Sequence, residues 1–247
     1  MTEIIRVEKL DVGYNEEVVL SQLNFTINKG DITVILGKSG CGKTTIFKTL
    51  LGLVPPLAGH INFFGEPVDY NSEKTLESLY KRIGVLFQGG ALLNSLTLYE
   101  NVALPIKMQH SELSYEIERE MVFSRLAQVG LSESGSKYPA ELSGGMRKRA
   151  ALARAMILDP DIIFCDEPSS GLDPITAAGL DDLMRNLRDF FDITFLVVTH
   201  ELRSIEKISD RAIVLNNGRI HYFGDYKDIF TLNDPFINTF FMKGDKQ

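Results

Sequence analysis

The sequence has no tryptophan, only two cysteines among 247 residues, and no apolar run near the ~18 residues that a membrane-spanning helix needs. Two cysteines cannot form a disulfide framework, so we expect both to be small reduced side chains. Basic residues are outnumbered, 26 against 33 acidic ones, and the net charge of −7 disfavours binding to a phosphodiester backbone. A strand-like pattern at residues 4–7 leaves no room for a signal or transit peptide, so we expect a soluble, cytosolic protein.

A phosphate-binding loop occupies residues 37–44, directly after the apolar run 32–36. A buried strand before the loop and a helix after it are the context that this motif needs. Its glycines allow backbone N–H groups to converge on phosphate oxygens, and the helix N-terminus adds partial positive charge. Lys43 is expected to reach the β and γ phosphates, and the Thr44 hydroxyl to bind Mg²⁺. The alternative, an ordinary glycine-rich turn, is disfavoured because every required position is filled. The expected nucleotide contacts in this segment are Gly37, Lys38, Ser39, Gly40, Cys41, Gly42, Lys43, Thr44 and Thr45.

Strand and helix patterns alternate along most of the chain. Helical spacing alone appears between about residues 97 and 158, at 115–129 and 144–158. Helices are also expected at 44–52 and 176–190, and strands at 4–10, 18–27, 32–36, 60–64, 83–87, 162–165, 194–199 and 211–216. No linker divides the sequence. The pattern predicts one α/β domain over residues 1–247, with a parallel sheet and a helical insertion.

Two carboxylates follow the apolar strand at 162–165. A buried strand that ends in Asp166 places this charge at the carboxyl edge of a parallel sheet, where such sheets bind ligands. Asp166 is expected to coordinate Mg²⁺, and Glu167 to accept a proton from the attacking water. The alternative is a strand that ends in acidic turn residues, which becomes weak beside a complete phosphate loop.

Ser143, Gly144 and Gly145 open a further helix. Ser143 is a good N-cap, and the two glycines leave the first helical N–H groups open to a close ligand. Basic residues at 147–149 and 154 lie largely off the apolar stripe of this helix. The segment fits either a capped helix with a solvated basic face or a second phosphate-binding helix terminus.

Taken in order, these motifs resemble those of ABC-type ATPases, over nearly the whole chain. Tyr14 stands where the family stacks an aromatic ring on adenine, Gln88 matches the glutamine loop, and His200 the switch histidine. The segment 170–173 resembles the D-loop and adds Asp173 to the nucleotide contacts. The resemblance implies a P-loop NTPase fold with a RecA-like parallel-sheet core, an N-terminal antiparallel β subdomain and a helical subdomain at about 97–158.

The resemblance also assigns catalytic and metal roles. Catalysis is expected from Glu167, His200, Gln88 and Lys43, and Mg²⁺ binding from Thr44, Gln88 and Asp166. In this family two protomers pack head to tail about a two-fold axis. ATP is then held between Lys43 of one copy and Ser143, Gly144 and Gly145 of the other. We expect a homodimer that closes on ATP and reopens after hydrolysis.

The motif variants at 87–92, 100–105, 141–155 and 173–175 resemble the MlaF-like, MCE-associated branch of the family. That resemblance implies phospholipid transport between inner and outer membranes, by a peripheral subunit on the cytoplasmic face of the inner membrane. The implied partners are an MlaE-like multi-spanning permease, an MlaD-like MCE-domain protein and an MlaB-like STAS-domain subunit. The apolar stretch 91–96 is expected either to line the permease groove or to pack in the core. Met146 departs from the commoner family glutamine.

Other functions remain open at this stage. The ATPase could serve an importer of amino acids or ions, or a lipoprotein-release system. A non-transport ABC ATPase of DNA repair or translation is disfavoured because the chain has neither a long coiled-coil insertion nor a second cassette. A regulatory module that binds nucleotide without hydrolysis is disfavoured by Glu167 and His200.

Overall fold

The computed structural model describes residues 2–110 and 112–242. Its strands are β1 (Glu3–Tyr14), β2 (Glu17–Asn28), β3 (Ile32–Gly37), β4 (Ala58–Phe63), β5 (Glu66–Pro67), β6 (Ile83–Leu86), β7 (Ile162–Asp166), β8 (Thr194–Val198), β9 (Arg211–Asn216) and β10 (Arg219–Asp225). Its α-helices are α1 (Lys43–Leu50), α2 (Glu73–Tyr80), α3 (Leu98–Gln109), α4 (Tyr115–Gln128), α5 (Gly144–Met156), α6 (Pro174–Phe191), α7 (Leu202–Ile208) and α8 (Pro235–Met242).

The described chain forms two compact units. The first combines the residues up to Glu77 with those from Thr194 onward, and the second is Ser78–Ile193. The expectation of a single domain over residues 1–247 stays a prediction, and positions 1, 111 and 243–247 of that range lie outside the described residues.

An antiparallel sheet in the first unit has the strand order β2-β1-β4-β5. The β1–β2 hairpin pairs Val7 with Phe25 and closes at Tyr14 opposite Glu17. Residues that face inward on both strands, such as Leu10 and Leu20, are fully buried. This alternation of buried and exposed positions is what a sheet with one covered face requires.

The second sheet of this unit contains β10, β9, β3 and β8 in that order. β3 is parallel to both β8 and β9, and β10 returns antiparallel to β9. Every residue of β3 is buried, as its unbroken apolar pattern indicates for a central parallel strand. β3 therefore delivers its last residue, Gly37, from the centre of the sheet into the phosphate loop.

The second unit pairs β6 with β7 in parallel, Leu86 lying opposite Cys165. α5 packs closely on β6, since a side chain at Gly84 would collide with the backbone carbonyl of Ala155. α3, α4 and α5 share a buried apolar cluster that includes Val102, Leu126 and Ala153. This packing places the N-terminus of α5 and the ends of β6 and β7 within one unit.

Helices occupy the segment between residues 97 and 158, with no strand among its described residues. Thr97 and Glu100 form a capping box at the start of α3, and Ser114 caps α4. Among all residues that the structure describes, no helix has both the length and the apolar character required to cross a bilayer.

Candidate functional site

The phosphate loop lies between β3 and α1. Gly42 is the N-cap of α1 with φ 102°, and no side chain caps this helix. The first N–H groups of α1 are thus available to an anion, and no acidic residue lies in the first turn of this fully described helix. The Lys43 ammonium donates to the carbonyls of Gly37 at 2.8 Å and Lys38 at 3.1 Å, so it lies within the curve of the loop.

Gly37 and Gly42 are required by packing as well as by conformation, whereas a Cβ at Gly40 would meet no atom within 4 Å. A Cβ at Gly42 would meet the Leu20 side chain at 2.7 Å, and one at Gly37 would meet the Leu215 carbonyl oxygen at 2.7 Å. Ser39 and Gly40 are exposed, Cys41 is half-buried, Thr44 is exposed and Thr45 is buried. The loop therefore presents its backbone and the Thr44 hydroxyl, while Thr45 faces inward.

Asp166 ends β7 in the second unit, Glu167 follows it, and both residues are half-buried. Glu167 has φ 46°, a left-handed conformation that L-residues rarely adopt. Its carbonyl oxygen accepts hydrogen bonds from Lys148 Nζ at 3.1 Å and from the Ser170 N–H at 3.2 Å. The turn that carries this carboxylate is thus held by one hydrogen bond from its own backbone and one from the Lys148 side chain.

Gln88 follows β6, and its side chain is exposed while its carbonyl accepts a hydrogen bond from Lys148 Nζ. Arg154 fixes the next residues, donating to the carbonyls of Gly90 at 2.8 Å and Ala91 at 2.7 Å. Both cations come from α5. A solvated basic face, one of the two alternatives that the sequence left open for α5, does not hold for Lys148, which retains only 6% of its accessible surface.

The structure shows core packing for part of the stretch 91–96, and its expected contact with a permease stays a prediction. Leu92 packs against the helical apolar cluster, whereas Leu93 is 46% exposed. The fully buried Asn101 holds the stretch in place, because its amide pairs with the backbone of Leu93 and donates to the carbonyls of Leu96 and Thr97.

The N-terminus of α5 has the features expected from its sequence. Ser143 is the N-cap, and its hydroxyl accepts a hydrogen bond from the Met146 N–H at 3.3 Å. Ser143 is exposed and Gly144 half-buried. Gly145 is buried, and a Cβ there would collide with the Thr176 side chain. Gly145 therefore allows α5 to lie against α6, in addition to leaving the helix terminus open.

Asp173 is the N-cap of α6. Its carboxylate accepts hydrogen bonds from the N–H groups of Ile175 at 3.1 Å and Thr176 at 3.0 Å. Hydrogen bonds from the Thr176 side chain and backbone lower the pKa of Asp173 below its ordinary value. The structure thus gives this residue a helix-capping role, and its expected nucleotide contact stays a prediction.

Tyr14 and His200 belong to the first unit. Tyr14 ends β1 and is 43% exposed, which leaves part of its ring surface accessible. His200 comes two residues after the end of β8 and is exposed, with its Nε2 4.0 Å from Glu201 Oε1. Their roles in adenine stacking and phosphate sensing stay predictions.

The expected Mg²⁺ ligands are hard oxygen donors from Thr44, Gln88 and Asp166, and their binding of the ion stays a prediction. Among the described residues, no group of three or more His, Cys, Asp or Glu side chains could hold a metal ion by itself. A single carboxylate in the expected set fits Mg²⁺, which is usually bound by one or two carboxylates together with water and substrate phosphates.

The structural roles of Lys148 and Asn101 were not predicted from the sequence. Lys148 reads as one of several helical basic residues, and Asn101 as one polar residue in an apolar helix. Lys148 lies largely off the apolar stripe of α5, so its burial can be recognised only when the orientation of the helix is known.

A family model described as "ABC transporter" matches residues 20–170. The Mycobacterium tuberculosis (strain H37Rv) "probable ribonucleotide transport ATP-binding protein mkl" is 39% identical over 96% of this chain, which spans only 66% of that protein. The intermembrane phospholipid transport ATP-binding protein MlaF of Haemophilus influenzae is 37% identical over 98% of this chain and 91% of its own. The methionine import ATP-binding protein MetN 1 of Staphylococcus aureus (strain N315) is 36% identical over 89% of this chain and 65% of its own.

Solved structures agree with the family. cbiO1 of Clostridium perfringens, part of the ABC transporter complex cbiONQ, has a TM-score of 0.87 at 29% identity and covers 94% of this chain and 92% of its own. The dimeric ATP-binding cassette MJ0796, in a post-hydrolysis state bound to ADP and Pi, has a TM-score of 0.80 at 28% identity and covers 90% and 98%. The P-loop NTPase fold expected from the sequence is confirmed. The chain belongs to the ATP-binding subunits of the ABC transporter family and is an ATPase.

Proposed function

We propose that this ATPase energises the movement of phospholipid between the inner and outer membranes through a separate permease. The observation that carries the proposal is the 37% identity to MlaF, which extends over 98% of this chain and 91% of the relative. Because the match covers both proteins almost from end to end, it favours a transport role in common with MlaF, and not merely a catalytic domain in common. The sequence variants at 141–155, which include Met146, support the same branch.

The proposed catalytic roles are those that the resemblance to ABC-type ATPases assigns to each residue. Lys43 binds the β and γ phosphates, while Gln88 and His200 orient the attacking water and the γ-phosphate. Oxygen of that water bonds to the γ-phosphorus, and the bond from this phosphorus to the β–γ bridging oxygen breaks. Glu167 accepts the proton of the water, and ADP and inorganic phosphate leave. Thr44, Gln88 and Asp166 would hold Mg²⁺, which would neutralise charge on the phosphate oxygens. Tyr14 stacks on adenine.

The proposed active form is a homodimer. The phosphate loop of one copy and the α5 N-terminus of the other hold one ATP, with Ser143, Gly144 and Gly145 as contacts. The start of α1 has no side-chain cap, the start of α5 is capped by the Ser143 hydroxyl, and neither helix has an acidic residue in its first turn; these features support two phosphate-binding surfaces per chain. The dimeric state of MJ0796 with ADP and Pi supports this assembly.

The proposed partners are a multi-spanning permease, an MCE-domain protein and a STAS-domain subunit. The chain then lies on the cytoplasmic face of the inner membrane as a peripheral subunit. Residues 87–93 follow β6 and form what we call the Gln88 loop. Phe87 and Leu93 lie at its two ends, are exposed by 39% and 46%, and offer apolar surface to a cytoplasmic helix of the permease.

Reconstitution tests the proposal directly. The full chain is co-expressed with the membrane proteins encoded beside it, and the purified complex is placed in vesicles that contain a fluorescent phospholipid. We expect ATP-dependent extraction or transfer of the lipid, and loss of this activity in a Lys43→Ala complex. Co-purification without a multi-spanning permease, or ATP turnover that moves no phospholipid, would contradict the proposal.

A second candidate is import of an amino acid such as methionine. The 36% identity to MetN 1 favours it, although this chain spans only 65% of that relative. The same vesicles, assayed with labelled methionine instead of lipid, separate the two cargoes. Methionine accumulation without lipid movement would establish the importer.

A further inference from the structure

Lys148 is a charged side chain buried inside the second unit. It lies on α5 one turn after the Ser143 cap, and only 6% of its surface is accessible. A buried ammonium costs several kcal/mol unless it is paired and hydrogen-bonded. Its partners therefore have to be strong acceptors or negative charges.

The Lys148 ammonium bridges two separate loops. It donates to the carbonyl oxygen of Gln88, which follows β6, and to that of Glu167, which follows β7, at 3.1 Å. These are the only two residues in the second unit that carry proposed roles toward the attacking water. A single group thus contacts the backbone of both.

The contact at Glu167 fixes the direction of a catalytic side chain. Glu167 is held at φ 46°, a backbone conformation that costs about 1–3 kcal/mol and persists only where its surroundings impose it. The carbonyl of Glu167 also accepts from the Ser170 N–H at 3.2 Å, so two donors define the peptide plane. Because the side chain direction depends on this backbone, loss of one donor allows the carboxylate to turn.

The surroundings of Lys148 are consistent with a charged bridge. Burial lowers the pKa of Lys148, while Cys165, Asp166 and Glu167 oppose that shift. The helix brings one more cation to the same loop, since Arg154 donates to the Gly90 and Ala91 carbonyls. Lys148 joins the two loops through its hydrogen bonds to the carbonyl oxygens of Gln88 and Glu167.

We propose that Lys148 is a positioning residue for ATP hydrolysis, which ties the Gln88 loop to the backbone of Glu167 and thereby sets the orientation of the Glu167 carboxylate. This inference rests on the proposed role of Glu167 as the base. A displacement of the Gln88 loop is transmitted to the carboxylate through one ammonium group.

Arg149 provides a matched control. It lies next to Lys148 on α5 and donates to backbone carbonyls of Val129 at 3.1 Å and Gly179 at 3.5 Å, away from the two loops. Arg149→Met thus removes a cation and its carbonyl contacts from the same helix without touching Gln88 or Glu167.

The test uses the purified full chain and measures ATPase rate against ATP concentration, binding of a fluorescent ATP analogue, and thermal unfolding. In Lys148→Met we expect kcat to fall about tenfold or more, since small misplacements of reacting groups cost up to about a hundredfold. KM and analogue affinity stay within about twofold, because only the hydrolytic step is affected. Lys148→Arg restores kcat to within about threefold of native, and Arg149→Met keeps it within about twofold.

Several results would overturn the inference. These are a Lys148→Met kcat near the native value, equal losses in Lys148→Met and Arg149→Met, or a parallel fall of kcat and nucleotide affinity. If Lys148→Met does not fold, Lys148→Gln takes its place with the same expected separation of kcat from KM. Glu167→Gln is assayed alongside. If Glu167→Gln hydrolyses ATP at the native rate, the proposed role of Glu167 as the base is wrong. If Glu167→Gln is inactive but Lys148→Met has the native kcat, only the positioning role of Lys148 is wrong.

Discussion

Replacing Asn101 with alanine removes the side chain that holds residues 93–97 on the start of α3. The amide oxygen accepts from the Leu93 N–H at 2.8 Å. The amide nitrogen donates to the carbonyls of Leu93 and Leu96, each at 3.0 Å, and of Thr97 at 2.9 Å. An amide has only two N–H groups, so at least one of these donations is shared.

The expected loss of stability follows from these contacts. Three fully formed hydrogen bonds at about 1 kcal/mol each give about 3 kcal/mol, and alanine recovers about 0.5 kcal/mol through its helix propensity. We therefore expect Asn101→Ala to lower the free energy of unfolding by about 2–3 kcal/mol. A change of this size corresponds to a melting temperature lower by about 4–12 °C in a protein of this length.

Urea and thermal unfolding, followed by circular dichroism, measure the loss. Asn186→Ala, at an exposed position of α6, is the matched control and is expected to stay within about 0.5 kcal/mol of native. Hydrogen exchange adds a local readout, in which the amides of residues 93–97 lose protection. A loss below about 1 kcal/mol, or one no larger than that of the control, would refute this account of the Asn101 contacts.

Two further predictions concern single side chains. A thiol reagent will label Cys41 but not Cys165 in the folded chain, because Cys165 is fully buried and burial raises the pKa of its thiol; ATP will slow the labelling, and two labels per native chain would contradict this. Asp173→Ala will lower the melting temperature at neutral pH, since the hydrogen-bonded carboxylate has a lowered pKa. That stabilisation is complete above the unfolded value of 3.8 and is lost as pH falls through the lower folded value. Asp173→Asn keeps an acceptor and stays near native, and a melting difference that does not shrink in acid would count against the cap.

The phosphate loop could be predicted from short-range features of the sequence. The loop requires a buried strand, glycines at fixed positions and a helix start, and the structure has β3, the positive φ angles of Gly40 and Gly42, and α1 in that order. Strands β6, β7 and β8 were also expected within a residue or two of their observed ends. Such elements are predictable because apolar runs and glycines determine the local backbone conformation of the few residues around them.

α3 shows where this reasoning fails. No individual helix was predicted over residues 98–109, and Pro105, a residue type that normally marks a helix boundary, lies inside α3. The Thr97–Glu100 capping box was the signal that could have found the helix. Burial of the Lys148 charge was equally inaccessible, because it depends on how α5 packs against the loops after β6 and β7 rather than on its neighbours in sequence.

The Glu167→Gln chain, incubated with ATP and Mg²⁺, tests the central claim most directly. Its mass in solution is measured by light scattering, and its bound nucleotide is quantified. We expect it to retain ATP without hydrolysis and to change from the 27.7 kDa monomer to a species of twice that mass. The change should be abolished by a second substitution, Ser143→Arg, which places a bulky side chain at the start of α5. A monomer with bound ATP, or a dimer that forms equally well without nucleotide, would contradict the account.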